Sequence, residues 1–203
     1  AVCTAFGTAG TGGFGIKGDS MAGYSPYIQN VCTIFMLLFG VNFSCYYLVL
    51  LRRFKSIIKD SELRTYVVII LSSVALITIN ISGMFSSVRQ ALHHAAFTVS
   101  SIITTTGFAT EDFNMWPNFS KTIILMLMFV GACGGSTGGG LKCGRLLIIL
   151  KSVKRNIRKT LNPRKVEVIR MGGNVVKEEV VSAVNSYFVA YIVIPKVPNN
   201  MKY

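Results

Sequence analysis

Charged residues are missing from four long stretches of the chain: 20–51, 65–88, 90–110 and 122–141. About 20 apolar residues are enough to cross the hydrocarbon core of a bilayer, and each stretch reaches that length. Residues 26–51 (PYIQNVCTIFMLLFGVNFSCYYLVLL) predict one spanning helix that ends at Arg52 and Arg53. The polar, basic segment RRFKSIIKDSELR follows, with Ser61 and Glu62 opening a second span over 63–84 that stops near Gly83. Residues 86–103 are less apolar, hold Arg89, His93 and His94, and predict a short helix. A third apolar run covers 117–150 and is interrupted by GACGGSTGGG at 131–140. Residues 151–178 are basic; within them VEVIRMGGNVV predicts a β-hairpin turning at Gly172-Gly173. A further span begins at 178–194, and PKVPNNMKY ends the chain.

Composition agrees with a membrane protein. Of 203 residues, 51% are hydrophobic and only 14% charged, against roughly 25% in a soluble domain. That hydrophobicity excludes disorder. The 21 basic residues against 8 acidic ones, a net +13, suit nucleic acid or a membrane. Their position decides, since they cluster between apolar runs and leave no basic soluble face, so no nucleic-acid partner is expected. Cys3, Cys32, Cys45, Cys133 and Cys143 form no CxxC pair and read as small buried hydrophobes. The start, AVCTAFGTAG, lacks the basic flank and apolar core of a signal peptide, and its abruptness suggests a fragment.

The basic residues also orient the spans. Arg52, Arg53, Lys55, Lys59 and Arg64 fill one loop, and nine more, from Lys151 to Lys177, fill another. The positive-inside rule makes 52–64 and 145–177 cytoplasmic. Lys17, Arg89 and Lys121, balanced by Asp19, Glu111 and Asp112, lie on the other side, so 1–25 and 85–116 face outward. Segment 85–116 therefore leaves and returns on one side although it contains 21 uncharged residues. Such a dip is a re-entrant loop, whose irregular backbone must be buried in protein or line an aqueous cavity.

A repeat sharpens this. Thr11-Gly12-Gly13-Phe14-Gly15 and Thr105-Thr106-Gly107-Phe108-Ala109 lie 94 positions apart. Each follows a short run of small and apolar residues and precedes a polar stretch and then a span. A dehydrated monovalent cation needs a ring of oxygens, which backbone carbonyls supply if several strands line one axis. Glycine lets those carbonyls turn inward, and the negative C-terminal dipole end of a short helix favours the cation. The Thr-x-Gly-aromatic order is that of the potassium-channel filter TVGYG. One such string alone reads more readily as a glycine turn packed by an aromatic. Two, each before a span on the same side, point to a filter.

Six glycines between 131 and 140 each cost about 1 kcal/mol of helix propensity, so the third span breaks there. Broken intramembrane helices mark pathways. Close helix packing through small residues is the competing reading. A phosphate-binding loop does not fit, because Leu141 separates Gly140 from Lys142. Lys142 itself either places charge at the inner mouth or snorkels to the interface. His93 and His94 read as polar caps, since no further metal ligands share their spacing. Asp19, Glu111 and Asp112 either concentrate cations or are ordinary solvated charges. Asn114 and Trp116 mark the interface, with Trp116 as a belt residue. Segment 151–165 follows from topology alone or docks a partner or anionic lipid.

Taken together, these stretches resemble the TrkH/KtrB superfamily of potassium transport subunits. SIITTTGFATEDFNMWP is similar to that family's third pore loop, GACGGSTGGGLK to its glycine-rich interruption, and TAGTGGF with MLLFGVNF to its second repeat. RKVEVIRMGGNVV is similar to its cytoplasmic hairpin, and the likeness covers about 1–194. The resemblance implies an all-α membrane protein of M1–pore helix–filter–M2 repeats with re-entrant pore loops, a broken M2 with a Gly-rich intramembrane loop, and a small cytoplasmic β-hairpin. Four such repeats surround one pore, in homodimers, with a cytosolic nucleotide-binding regulatory subunit. Residues 1–62 would then hold the end of a pore helix, the filter and M2 of the second repeat plus a cytoplasmic loop. Residues 63–165 would form the third repeat, and 166–203 the hairpin and a truncated M1 of the fourth.

The expected function is potassium uptake across the plasma (inner) membrane, in a multi-pass protein. Thr11, Gly12, Gly13, Thr105, Thr106 and Gly107 are the expected ion ligands, with Phe14 and Phe108 as filter support. Gly134, Gly135, Ser136, Thr137, Gly138, Gly139, Gly140 and Lys142 are the expected gate, with the Ser136 and Thr137 hydroxyls holding it closed. Potassium enters as the transported ion and no cofactor is expected. With two of four filter strands, the chain alone should not conduct selectively. The alternative is a non-conducting membrane scaffold or regulatory subunit whose glycines pack helices. An enzyme is not expected, because no intramembrane Asp, Glu or His cluster exists.

Overall fold

The computed structural model describes residues 2–162 and 168–193, so Arg164, Lys165 and the PKVPNNMKY end lie outside the described residues. The chain divides into two compact units, Ala1–Cys143 and Gly144–Tyr203.

The first unit opens with α1 (Val2–Ala9) and α2 (Pro26–Phe39), the latter set by Pro26 in the first turn. The expected single helix over 26–51 is not what forms. α2 ends at Gly40, and α3 (Phe43–Leu50) leaves at 90° to it. A Cβ on Gly40 would strike the Tyr66 hydroxyl and come within 2.8 Å of Thr104 Cγ2, so only glycine fits. Asn42 then caps α3 by accepting a 2.8 Å hydrogen bond from the Ser44 amide. The run is apolar throughout, but its backbone is cut by a close approach and a cap.

After α4 (Phe54–Ile58), α5 (Ser61–Ile81) starts where the Asp60 carboxylate accepts from the Glu62 amide at 2.8 Å. Tyr66, Ile70, Ser73, Ile77, Thr78 and Ile81 form its buried face. Val68, Leu71 and Ile79 are more than 60% exposed on the other side, which marks a helix apolar all round. With one following turn, Ser61–Met84 is the one continuous segment among the described residues long and apolar enough to cross a membrane. The bent pair α2–α3 meets the same test when taken together.

α6 (Val88–Ile103) is the central helix, capped by Ser87 and packed against α2, α5 and α7 (Asn118–Val130). Ala91, Ala95, Val99 and Ile103 meet Tyr66, Ile77 and Ile81 of α5 and Ile124 and Leu127 of α7 in one core. Trp116, expected as a belt residue at the interface, is 3% exposed and belongs to this core. A smaller core joins Met21, Cys32, Met36, Phe97 and Phe108.

α8 begins at Cys143 and runs to Leu161. In the second unit it is followed by the strands β1 (Arg170–Met171) and β2 (Asn174–Val175) and by α9 (Glu178–Val193). Arg170 pairs with Val175 and Met171 with Asn174, so the hairpin turns at Gly172-Gly173 as expected. Lys151 Nζ donates to the Arg170 carbonyl at 2.6 Å, Arg145 lies 4.3 Å over the Tyr187 ring, and Arg155 pairs with Glu178.

Candidate functional site

The two Thr/Gly/Phe segments follow one backbone path. Thr11 has φ 50° and Thr105 φ 58°, while Gly13 has φ 65° and Gly107 φ 87°. Left-handed geometry is uncommon for a β-branched residue, and here it recurs at equivalent positions. The hydrogen bonds recur too. The Gly12 amide donates to the Gly7 carbonyl at 2.9 Å, and the Thr106 amide to the Ser101 carbonyl at 2.8 Å. Thr11 Oγ1 lies 2.8 Å from the Gly10 carbonyl, and Thr105 Oγ1 lies 2.6 Å from that of Thr104. Each helix thus ends in the same turn, with a threonine and then a glycine at positive φ.

The turns touch. A Cβ on Gly13 would collide with the Thr106 carbonyl oxygen. One on Gly7 would lie 3.0 Å from the Phe14 carbonyl and 3.1 Å from Phe108 Cζ. Ser101 Oγ donates to the Phe108 carbonyl at 2.6 Å, and the Met21 amide to that of Ala109 at 2.9 Å. Phe108 is buried in the smaller core. Phe14 is 79% exposed and shares none of that packing; its ring instead lies beside Gly12.

The glycine-rich segment contacts both turns. Thr11 Oγ1 reaches the Thr137 carbonyl at 3.0 Å, and the Gly139 amide donates to Thr105 Oγ1 at 2.7 Å. Gly138 has no room for a Cβ, which would sit 2.7 Å from that of Ala132 and 3.0 Å from the Thr104 carbonyl. The loop is pinned at its other edge as well. Cys133 donates to the Gly40 carbonyl, Phe43 to that of Gly135, and Cys143 to that of Ala132, each at 3.0 Å. Ser136 Oγ bonds the Cys133 carbonyl at 2.6 Å and Thr137 Oγ1 that of Phe39 at 3.3 Å. Lys142, at φ 74°, does not snorkel away; its ammonium turns back onto the Gly138 carbonyl.

Three further residues build this arrangement. Gly40 and Asn42 make the break that receives the loop, and the Glu62 carboxylate accepts a 2.6 Å hydrogen bond from the Gly134 amide. The Gly-x-Asn pair carried a detectable cap signal. Glu62 carried none, because its partner is 72 residues away.

On the outward-assigned side, His93 Nε2 meets Gln29 Oε1 at 2.6 Å and Nδ1 meets Asn30 Oδ1 at 2.9 Å, fastening α6 to α2. His94 stacks on Phe85 and reaches Thr110 Oγ1 at 3.1 Å. Asp19, Glu111 and Asp112 line one cavity of about 460 Å³. Among the described residues no three His, Cys, Asp or Glu side chains are placed to hold a metal ion.

The family model described as TrkH, cation transport protein, matches residues 1–199. The chain belongs to the TrkH family. This family member is 33% identical over 199 residues to the Trk system potassium uptake protein TrkH of Salmonella typhimurium, covering 96% of this chain and 41% of that protein. It is also 33% identical over 195 residues to TrkG of Escherichia coli K12, covering 94% of this chain and 40% of the relative. The crystal structure of the potassium transporter TrkH from Vibrio parahaemolyticus matches with a TM-score of 0.87 at 31% identity, over 94% of this chain and 42% of that one. The TrkH-family chain thus spans about two fifths of the length of these relatives. Those relatives are potassium uptake proteins and not enzymes.

Proposed function

We propose that this chain supplies two filter strands and the gate of a potassium uptake pore in the plasma (inner) membrane. The two threonine–glycine turns, alike in φ and hydrogen bonding and in contact with each other above one glycine loop, carry the reading. The carbonyls of Thr11, Gly12, Gly13, Thr105, Thr106 and Gly107 replace the hydration of K⁺. Phe108 braces its strand from the smaller core. Segments 85–116 and 1–25 dip from the outer side, which gives their irregular backbone a protein-lined place at membrane depth.

Gly134 to Gly140 with Lys142 form the gate on the cytoplasmic side of the turns. Its amides and carbonyls are hydrogen-bonded to the turns and to the α2–α3 break, which supports a closed, fastened resting position for the gate. The Lys142 ammonium within it opposes cation passage until the loop moves. Repeats contributed by the rest of the pore complete the ring, a second copy forms the homodimer, and a cytosolic nucleotide-binding subunit acts on the gate from the inner face. A Cβ on Gly131 would meet Gly139 and Gly140, so these glycines close the loop on itself instead of packing one helix on another, which disfavours the scaffold alternative.

The test is potassium uptake by the intact gene product in cells lacking their own uptake systems. Gly107, at φ 87°, is replaced by valine. Loss of uptake or of K⁺ over Na⁺ selectivity supports the filter assignment, and unchanged selective uptake by a variant present at normal levels removes it.

A further inference from the structure

Within the second unit, Lys151, Lys154, Arg155, Arg158 and Arg170 line a cavity of about 280 Å³ between α8 and the strand β1. The Lys151 bond to the Arg170 carbonyl holds the hairpin wall of this cavity against α8. Glu178 pairs with Arg155 at its edge. A second feature lies on the same helix. Leu150, Val153, Ile157 and Leu161 recur at helical spacing and are 57%, 51%, 59% and 73% exposed. At about 100° per residue, this apolar stripe and the basic stripe 151, 154, 155, 158 lie roughly a quarter-turn apart on α8.

A basic stripe beside an exposed apolar one is the pattern of a helix lying in a membrane interface, with its cations at headgroup level. We infer that this cavity binds the phosphodiester headgroup of an anionic inner-leaflet lipid, with its acyl chains along Leu150, Val153 and Ile157. The apolar stripe separates a lipid from free phosphate, which would leave it uncovered. The inference rests on the topology proposed above, which places 145–177 on the cytoplasmic side.

The intact gene product is extracted from membranes of mixed phosphatidylcholine and phosphatidylglycerol, and retained lipid is counted by native mass spectrometry. The variant Lys154→Gln/Arg158→Gln/Arg170→Gln is expected to weaken phosphatidylglycerol retention on the order of 100-fold, three charges at about 1 kcal/mol each. Lys159→Gln, outside the cavity on the same helix, is expected to leave it unchanged. A loss in Lys159→Gln as large, per charge removed, as in the triple variant shows that charge number alone matters and overturns the site. So does full displacement of the lipid by inorganic phosphate, or unaltered lipid retention in a triple variant that has lost an acidic protein partner. The topology is read separately, by labelling Lys159→Cys with a membrane-impermeant maleimide in a background without Cys3. Labelling from outside removes the topology, whereas labelling from inside without lipid retention removes only the headgroup site.

Discussion

The Glu62 carboxylate accepts a hydrogen bond from the Gly134 amide at 2.6 Å, tying the first turn of α5 to the glycine loop. The same turn is capped by Asp60, at the end of the basic loop 52–60. The start of α5, beside that loop, is thereby fastened to the glycine segment. Glu62→Ala leaves the Gly134 amide without this partner and removes a charged hydrogen bond of about 1.5–3 kcal/mol from the fastened loop. Higher potassium flux through proteoliposomes in the absence of any cytosolic partner is the expected outcome. Glu62→Gln keeps an acceptor and should fall between the two.

Thr105 illustrates a strained residue stabilised by its surroundings. Its φ of 58° is unfavourable for a β-branched side chain, yet its hydroxyl receives the Gly139 amide at 2.7 Å. Thr105→Val keeps the branching and loses the acceptor. Thermal melting in detergent should show a loss of about 1–3 kcal/mol. Thr105→Ser, which keeps the hydroxyl, should melt close to the parent.

Gly13 and Gly15 offer a matched comparison. A Cβ at Gly13 collides with the Thr106 carbonyl, whereas at Gly15 the nearest atom, the Lys17 carbonyl oxygen, is 3.8 Å away. Gly13→Ala should displace the neighbouring strand and reduce K⁺ over Na⁺ discrimination in competitive uptake. Gly15→Ala should leave the ratio as it is.

Phe97 and Phe14 predict opposite stability effects from the same substitution. Phe97 is fully buried on α6, and Phe97→Ala should cost about 3–5 kcal/mol as a cavity opens in the smaller core. Phe14 is 79% exposed, so Phe14→Ala should stay within about 0.5 kcal/mol. Chemical denaturation of the purified protein distinguishes them.

The residue order by itself determined the helices α5 and α6, the glycine turn of the hairpin, the interruption after Val130 and the duplication of the Thr/Gly/Phe segments. These follow from hydropathy, glycine propensity and internal likeness, which are local properties. Only the tertiary structure decided that α2 and α3 part at Gly40, that Trp116 is buried and that Lys142 folds back onto Gly138. The same is true of Glu62 holding the loop. An apolar run has the same hydropathy whether it is straight or bent. The bend depends on Tyr66 and Thr104 occupying the space a Cβ on Gly40 would need. Likewise a carboxylate or ammonium near a membrane takes whichever amide or carbonyl the fold brings within about 3 Å. Such partners are chosen by packing across dozens of residues, which periodicity cannot encode.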